Sequence, residues 1–140
     1  MRAKIKVFFI IVFVLALSLP VLAEDLMQIP PWMLLDSPPE PQLRYPAGEK
    51  VILTGNSPLE FSWWNDFIRI DHFEFRLYKG YDMYAANLIY KEKVSSSASS
   101  IKIKSELFEN DQVYTWSLMQ VDFDGRKSER SFNSFKVFKK

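Results

Sequence analysis

From Lys50 onward, apolar and polar positions alternate with a period of two. Leu59, Phe61 and Trp63 are separated by Glu60 and Ser62, and Phe73, Phe75 and Leu77 by Glu74 and Arg76. Ile101 and Ile103 enclose Lys102 in the same way, and Val51 and Leu53 lead the series. Successive side chains of an extended chain point to opposite faces, so each run predicts a strand with one buried face. Leu88-Ile89-Tyr90 predicts a short strand ended by Lys91-Glu92-Lys93, Val113 to Val121 a long one, and Ser131 to Phe138 the last. Turn chemistry falls between them at Gly55-Asn56-Ser57-Pro58 and Asp124-Gly125, and Ser95 to Ser100 is a low-complexity serine loop. Only Ser105 to Asp111 could be helical, and it is too short. Seven short strands with this punctuation predict an all-β, seven-stranded antiparallel immunoglobulin-like β-sandwich over residues 49–140.

The pattern upstream is different. Arg2, Lys4 and Lys6 precede the apolar run Val7 to Leu19, followed by Pro20 and Val21-Leu22-Ala23. This is the layout of a secretory signal peptide over residues 1–23, cut after Ala23. The run has 13 residues, short of the ~20 that a membrane-spanning helix needs. An exported chain with no stable membrane span after cleavage is expected, periplasmic or extracellular. Residues 24–48 then hold six prolines within the 17 positions from Pro30 to Pro46. Proline fixes φ and removes a donor, so a proline-rich extended arm is expected there, with neither helix nor central strand. Within it Trp32, Met33, Leu34 and Leu35 are apolar enough to seek cover on the domain or on a partner.

Composition narrows the partners. Cutting the leader leaves 117 of 140 residues, one domain's worth. The leader removes three of the 18 basic residues against 17 acidic ones, for a mature net charge of −2. So mild a balance gives no electrostatic case for nucleic acid. The chain has no cysteine, so it holds neither disulfide nor lipidated N-terminal cysteine, and its core must suffice.

The second half resembles the fibronectin type III family, and more narrowly its bacterial, secreted, single-domain members. The resemblance lies in Leu107 to Leu118, with Tyr114, Trp116 and Leu118 alternating, continued by Gln120-Val121-Asp122 to Gly125. Leu59-Glu60-Phe61-Ser62-Trp63 is similar to the family's B strand, Phe73 to Leu77 to its C strand, and Phe135-Lys136-Val137 to its G strand. It implies a core containing Phe61, Trp63, Phe75, Tyr114, Trp116 and Leu118, and a tyrosine corner in which the Tyr114 hydroxyl bonds backbone just upstream. The family's corner leucine lies six residues before the tyrosine; this chain has Phe108 there and Leu107 one earlier, which suggests a corner loop one residue longer. Gln120 stands where the family has a small residue, so a buried amide needs partners.

Candidate chemistry is sparse. His72, the lone histidine, has Asp71 beside it and could enter acid–base chemistry; a solvated strand-edge histidine is the simpler reading. Asp122-Phe123-Asp124-Gly125 has two carboxylates spaced as in calcium loops, yet Arg126-Lys127 follows, and the hairpin-turn reading prevails. No nucleophile motif appears. The expectation is therefore no catalytic residues, no metal, no cofactor and no enzyme. Exposed aromatics remain, since such rings anchor protein interfaces or stack on sugars. Trp32, Trp64, Tyr78, Tyr81 and Tyr84 form the candidate binding surface, for another protein or, alternatively, a polysaccharide.

Overall fold

The computed structural model describes residues 37–140. Residues 1–23, where a signal peptide is expected, the start of the expected proline-rich arm and Trp32 lie outside the described residues. Two sheets make up the domain. The smaller holds β1 (Leu43–Tyr45), β3 (Leu59–Trp63) and β6 (Ser100–Ile103) in the order β1-β3-β6. The larger holds β2 (Lys50–Leu53), β4 (Ile70–Lys79), β5 (Leu88–Ser95), β7 (Gln112–Asp122) and β8 (Ser131–Lys139), ordered β2-β8-β7-β4-β5.

The period-two residues fill the space between the sheets. Phe61 of β3 meets Phe75 of β4 edge-on at 5.1 Å and Trp116 of β7 at 5.2 Å, joining the two sheets through aromatic contact. Phe61, Trp63, Phe75, Tyr114, Trp116 and Leu118 are all buried in one cluster with Phe73, Phe108, Phe135 and Val137. Edge-on rings at these separations add about 0.5–1.5 kcal/mol per pair beyond area burial. The corner is present: the backbone N–H of Glu109 donates to the Tyr114 hydroxyl at 2.7 Å. Phe108 occupies the buried corner position, 5.1 Å from the Tyr114 ring, while Leu107 faces solvent. The corner loop is therefore not lengthened; a larger ring replaces the leucine at the same spacing.

Three features depart from the sequence reading. A strand, β1, forms inside the expected arm, at its end. It is an edge strand paired antiparallel with β3 only, a place where prolines on either side cost no ladder bond. The chain then crosses to the other sheet, where β2 pairs with β8 in parallel, so the described residues form eight strands and the sandwich is not wholly antiparallel. Finally, Lys91-Glu92-Lys93 does not end β5, which continues to Ser95. As the last strand of its sheet, β5 can carry charged side chains without burying them.

The proline segment that is described packs onto the domain. Pro38 and Pro41 are buried, and Ser131 Oγ donates to the Pro41 carbonyl. The Gln120 amide donates to the Pro39 carbonyl, giving the buried glutamine the partner its position requires. Trp116 Nε1 donates to the Pro46 carbonyl at 2.8 Å. Side-chain donors from β7 and β8 thus take up carbonyls of a segment that cannot join a ladder.

Candidate binding surfaces

Strand β4 separates the proposed aromatics. Trp64 precedes its start, whereas Tyr81 and Tyr84 follow its end. Ten residues of extended chain put about 30 Å between these loops, so the rings make no common strip. Trp64 is 50% exposed. In the β1–β3 pairing Leu43 opposes Trp63 and Tyr45 opposes Ser62, leaving Arg44 as the extra residue of a bulge. Its guanidinium lies 4.7 Å from the centre of the Trp64 ring, a cation–π contact that covers one side of the indole. Beside them a polar depression of ≈ 460 Å³ is lined by Glu60, Ser62, Asn65, Ser99 and Ser100.

Tyr81 and Tyr84 are 72% and 70% exposed. Tyr78 is corrected: it is only 3% exposed and presents no ring to a partner. Leu77 opposes Tyr90 and Tyr78 opposes Leu88, leaving Ile89 of β5 unopposed. The pairing of β4 with β7 runs unbroken through Leu77, Tyr78 and Lys79, so Leu77 enters the inter-sheet cluster while Tyr78 stays on the outward face with Glu74 and Arg76, and is buried there beside Thr115. Thr115, directly across from Tyr78 on β7, donates to the Gly80 carbonyl at 2.8 Å and holds the following turn against the sheet.

Two exposed side chains stand out that the alternation pattern did not single out. Ile68, in the loop between β3 and β4, is 78% exposed, and Phe123, in the loop between β7 and β8, is 66% exposed. The two loops are joined by Arg69 Nη2 and Asp124 Oδ2, 3.3 Å apart. The second loop is built around Asp122, whose Oδ1 accepts the backbone N–H groups of Asp124 and Arg126, both at 2.9 Å. Its Oδ2 accepts Arg126 Nε at 2.8 Å. Burial alone would push the Asp122 carboxyl up, but the Arg126 and Asp124 hydrogen bonds and the Arg126 charge hold it below the ordinary aspartate value. Gly125, at φ +77°, closes the turn. The pair of carboxylates in this loop thus serves a hairpin. The signal that could have marked Ile68 and Phe123 was their position as large apolar residues inside predicted turns.

His72 Nδ1 lies 2.7 Å from Asp71 Oδ2, and its Nε2 lies 3.9 Å from Glu74 Oε1. It sits on the outward face of β4 beside Glu74 and Arg76, in a shallow groove of ≈ 360 Å³ bounded by Lys91 and Lys93 of β5. Glu74 accepts from Arg130 Nη2 at 3.2 Å and lies 3.4 Å from Lys127 Nζ. Arg130 also donates to the Glu74 carbonyl at 3.1 Å and spreads over Ser117 and Met119. Ser117 and Met119 thus face outward yet are buried. Among the described residues no cluster of three or more His, Cys, Asp or Glu could hold a metal.

No protein-family model matches the chain. No curated protein matches it. Solved structures do. A computer-redesigned β-sandwich protein is 11% identical, with TM-score 0.52, over 71% of this chain and 95% of that one. The FN1–FN3 domains of chicken CNTN1 are 13% identical, with TM-score 0.51, over 73% of this chain and 33% of that one. Astrotactin-2, a vertebrate-specific perforin-like membrane protein, is 14% identical, with TM-score 0.51, over 74% of this chain and 22% of that one. At such identities the likeness concerns the fold, which is fibronectin type III-like. Among the described residues no helix is long and apolar enough to cross a membrane.

Proposed function

We propose that this fibronectin type III-like domain is exported and acts as a non-enzymatic interaction module that docks on another protein of the envelope or outside the cell. The observation that carries the reading is the pair of exposed apolar side chains, Ile68 and Phe123, on two loops that the Arg69–Asp124 ion pair joins, the second held also by the Asp122 hydrogen bonds. Apolar side chains on rigid loops at one end of a sandwich are disposed for protein contact. A fold alone does not select a partner. The test is photo-crosslinking from position 123 in intact cells, with Ile68→Asp and Ile68→Arg as controls. A discrete adduct that vanishes in the controls while thermal stability stays within a degree or so supports the reading. Absence of any adduct, or turnover of a substrate abolished by His72→Ala, overturns it.

A second reading rests on Trp64. Its half-exposed indole beside hydroxyl, amide and carboxylate groups suits a sugar ring, with the indole as platform and the polar groups as hydrogen-bond partners. The reading has narrowed from an aromatic strip to a single ring. Trp64→Ala should remove polysaccharide retention; unchanged retention ends it.

A further inference from the structure

Among the described residues strand β5 is the last of its sheet, with β4 on one side and no strand on the other. Its eight residues, Leu88–Ser95, therefore present backbone N–H and C=O groups along a free edge. On its outward face stand Lys91 and Lys93, two residues apart. Lys91 is directly opposite Arg76 of β4, and Lys93 directly opposite Glu74. Two cations facing each other across a ladder repel. Neither Arg76 nor Lys91 has a carboxylate within ion-pair distance among the described residues. Glu74, which shares the outward face of β4 with Arg76 and feels its charge, is already engaged by Arg130 and Lys127, and Lys93 reaches Asp71 only at 4.0 Å. The acid within β5 itself, Glu92, keeps its charge but stands on the opposite face of the strand from Lys91 and Lys93, where it accepts the Tyr90 hydroxyl.

We propose that this edge is a second docking site, which takes an extended acidic segment of a partner protein as an added strand on β5. Its acidic side chains, at every second position, would meet Lys91, Lys93 and Arg76. The inference goes beyond the loop-tip reading and uses other residues, so either can fail alone. Lysine on an edge strand normally repels chance pairing. Here the same lysines give selectivity: a neutral or basic strand would bury their charge unpaired, while an acidic one relieves the Arg76–Lys91 repulsion. Backbone pairing supplies affinity, and alternate side chains supply register.

The test uses the purified full chain and a fluorescent strand-length peptide with glutamate alternating with threonine and valine, read by anisotropy at physiological salt. Saturable binding is expected, with amide shifts concentrated in Leu88–Ser95. Lys91→Glu combined with Lys93→Glu should weaken it about tenfold or more. N-methylation of alternate peptide nitrogens on the edge-facing side should abolish it in the wild-type protein, a control that needs no variant to fold. A methylated peptide that binds as well as the parent would mean simple polyanion attraction and overturn the inference. So would polygalacturonate binding where the peptide does not, or no peptide binding at millimolar concentration.

Discussion

The two core tryptophans differ in one atom's fate, and that difference can be measured. Trp63 and Trp116 are both buried, on β3 and β7. Trp116 Nε1 donates to the Pro46 carbonyl at 2.8 Å, whereas Trp63 Nε1 is the buried side-chain polar atom that finds no partner among the described residues. Replacing either by Ala should cost about 3–5 kcal/mol through lost burial and the cavity left behind, a large part of the stability of a domain this size. Replacement by Phe isolates the polar atom. Both variants lose similar indole volume, but Trp116→Phe also strands the Pro46 carbonyl in the interior, a cost of about 1–3 kcal/mol. Trp63→Phe instead removes an orphan N–H and recovers part of its burial penalty. Trp116→Phe should therefore be the less stable by about 2 kcal/mol or more, which for a domain of this length corresponds to about 10 °C in Tm. Urea unfolding followed by far-UV circular dichroism, with the slope m unchanged, reads the gap directly. Equal midpoints, or a less stable Trp63→Phe, would refute the reasoning.

Three further predictions follow from single contacts. Tyr114→Phe deletes only the acceptor for the Glu109 N–H and should cost about 0.5–1.5 kcal/mol, seen as a lower urea midpoint with the same near-ultraviolet spectrum. Asp122, held below the ordinary aspartate value by its hydrogen bonds and Arg126, contributes stability that is present above the unfolded value, ~3.9, and is lost as pH falls through the lower folded value. Asp122→Asn should lower Tm at neutral pH and flatten its acid dependence below pH ~4, checked by thermal melts across pH. Tyr90 is pushed up to about 12 by its hydrogen bond to Glu92, by partial burial and by the Glu92 charge. Its contribution is fully present below the unfolded value, ~10, and is lost as pH rises from there through about 12, so Tyr90→Phe should remove the last-ionising phenol from an ultraviolet titration.

Much of this protein is written in the order of its residues. The alternation of Leu59, Phe61 and Trp63, of Phe73, Phe75 and Leu77, and of Tyr114, Trp116 and Leu118 places them on one face of a strand, whatever the strand packs against. Asp124-Gly125 marked a hairpin because glycine adopts positive φ without strain. The need of a buried Gln120 for partners was legible; that the partner is the Pro39 carbonyl was not, since 81 residues separate them. Tyr78 shows the limit of periodicity. The alternation puts this ring on the outward face of β4, but only the packing over that face decides that it is buried, while Tyr81, beyond the strand's end, is exposed. The separation of Trp64 from Tyr81 and Tyr84, and the joining of the Ile68 loop to the Phe123 loop through Arg69 and Asp124, depend on which loops share an end of the sandwich. The unbalanced meeting of Arg76 with Lys91 likewise depends on strand register. Period and turn chemistry are local and fix each strand's faces. Which faces, edges and loop tips become neighbours is a long-range matter, and only the closed sandwich decides it.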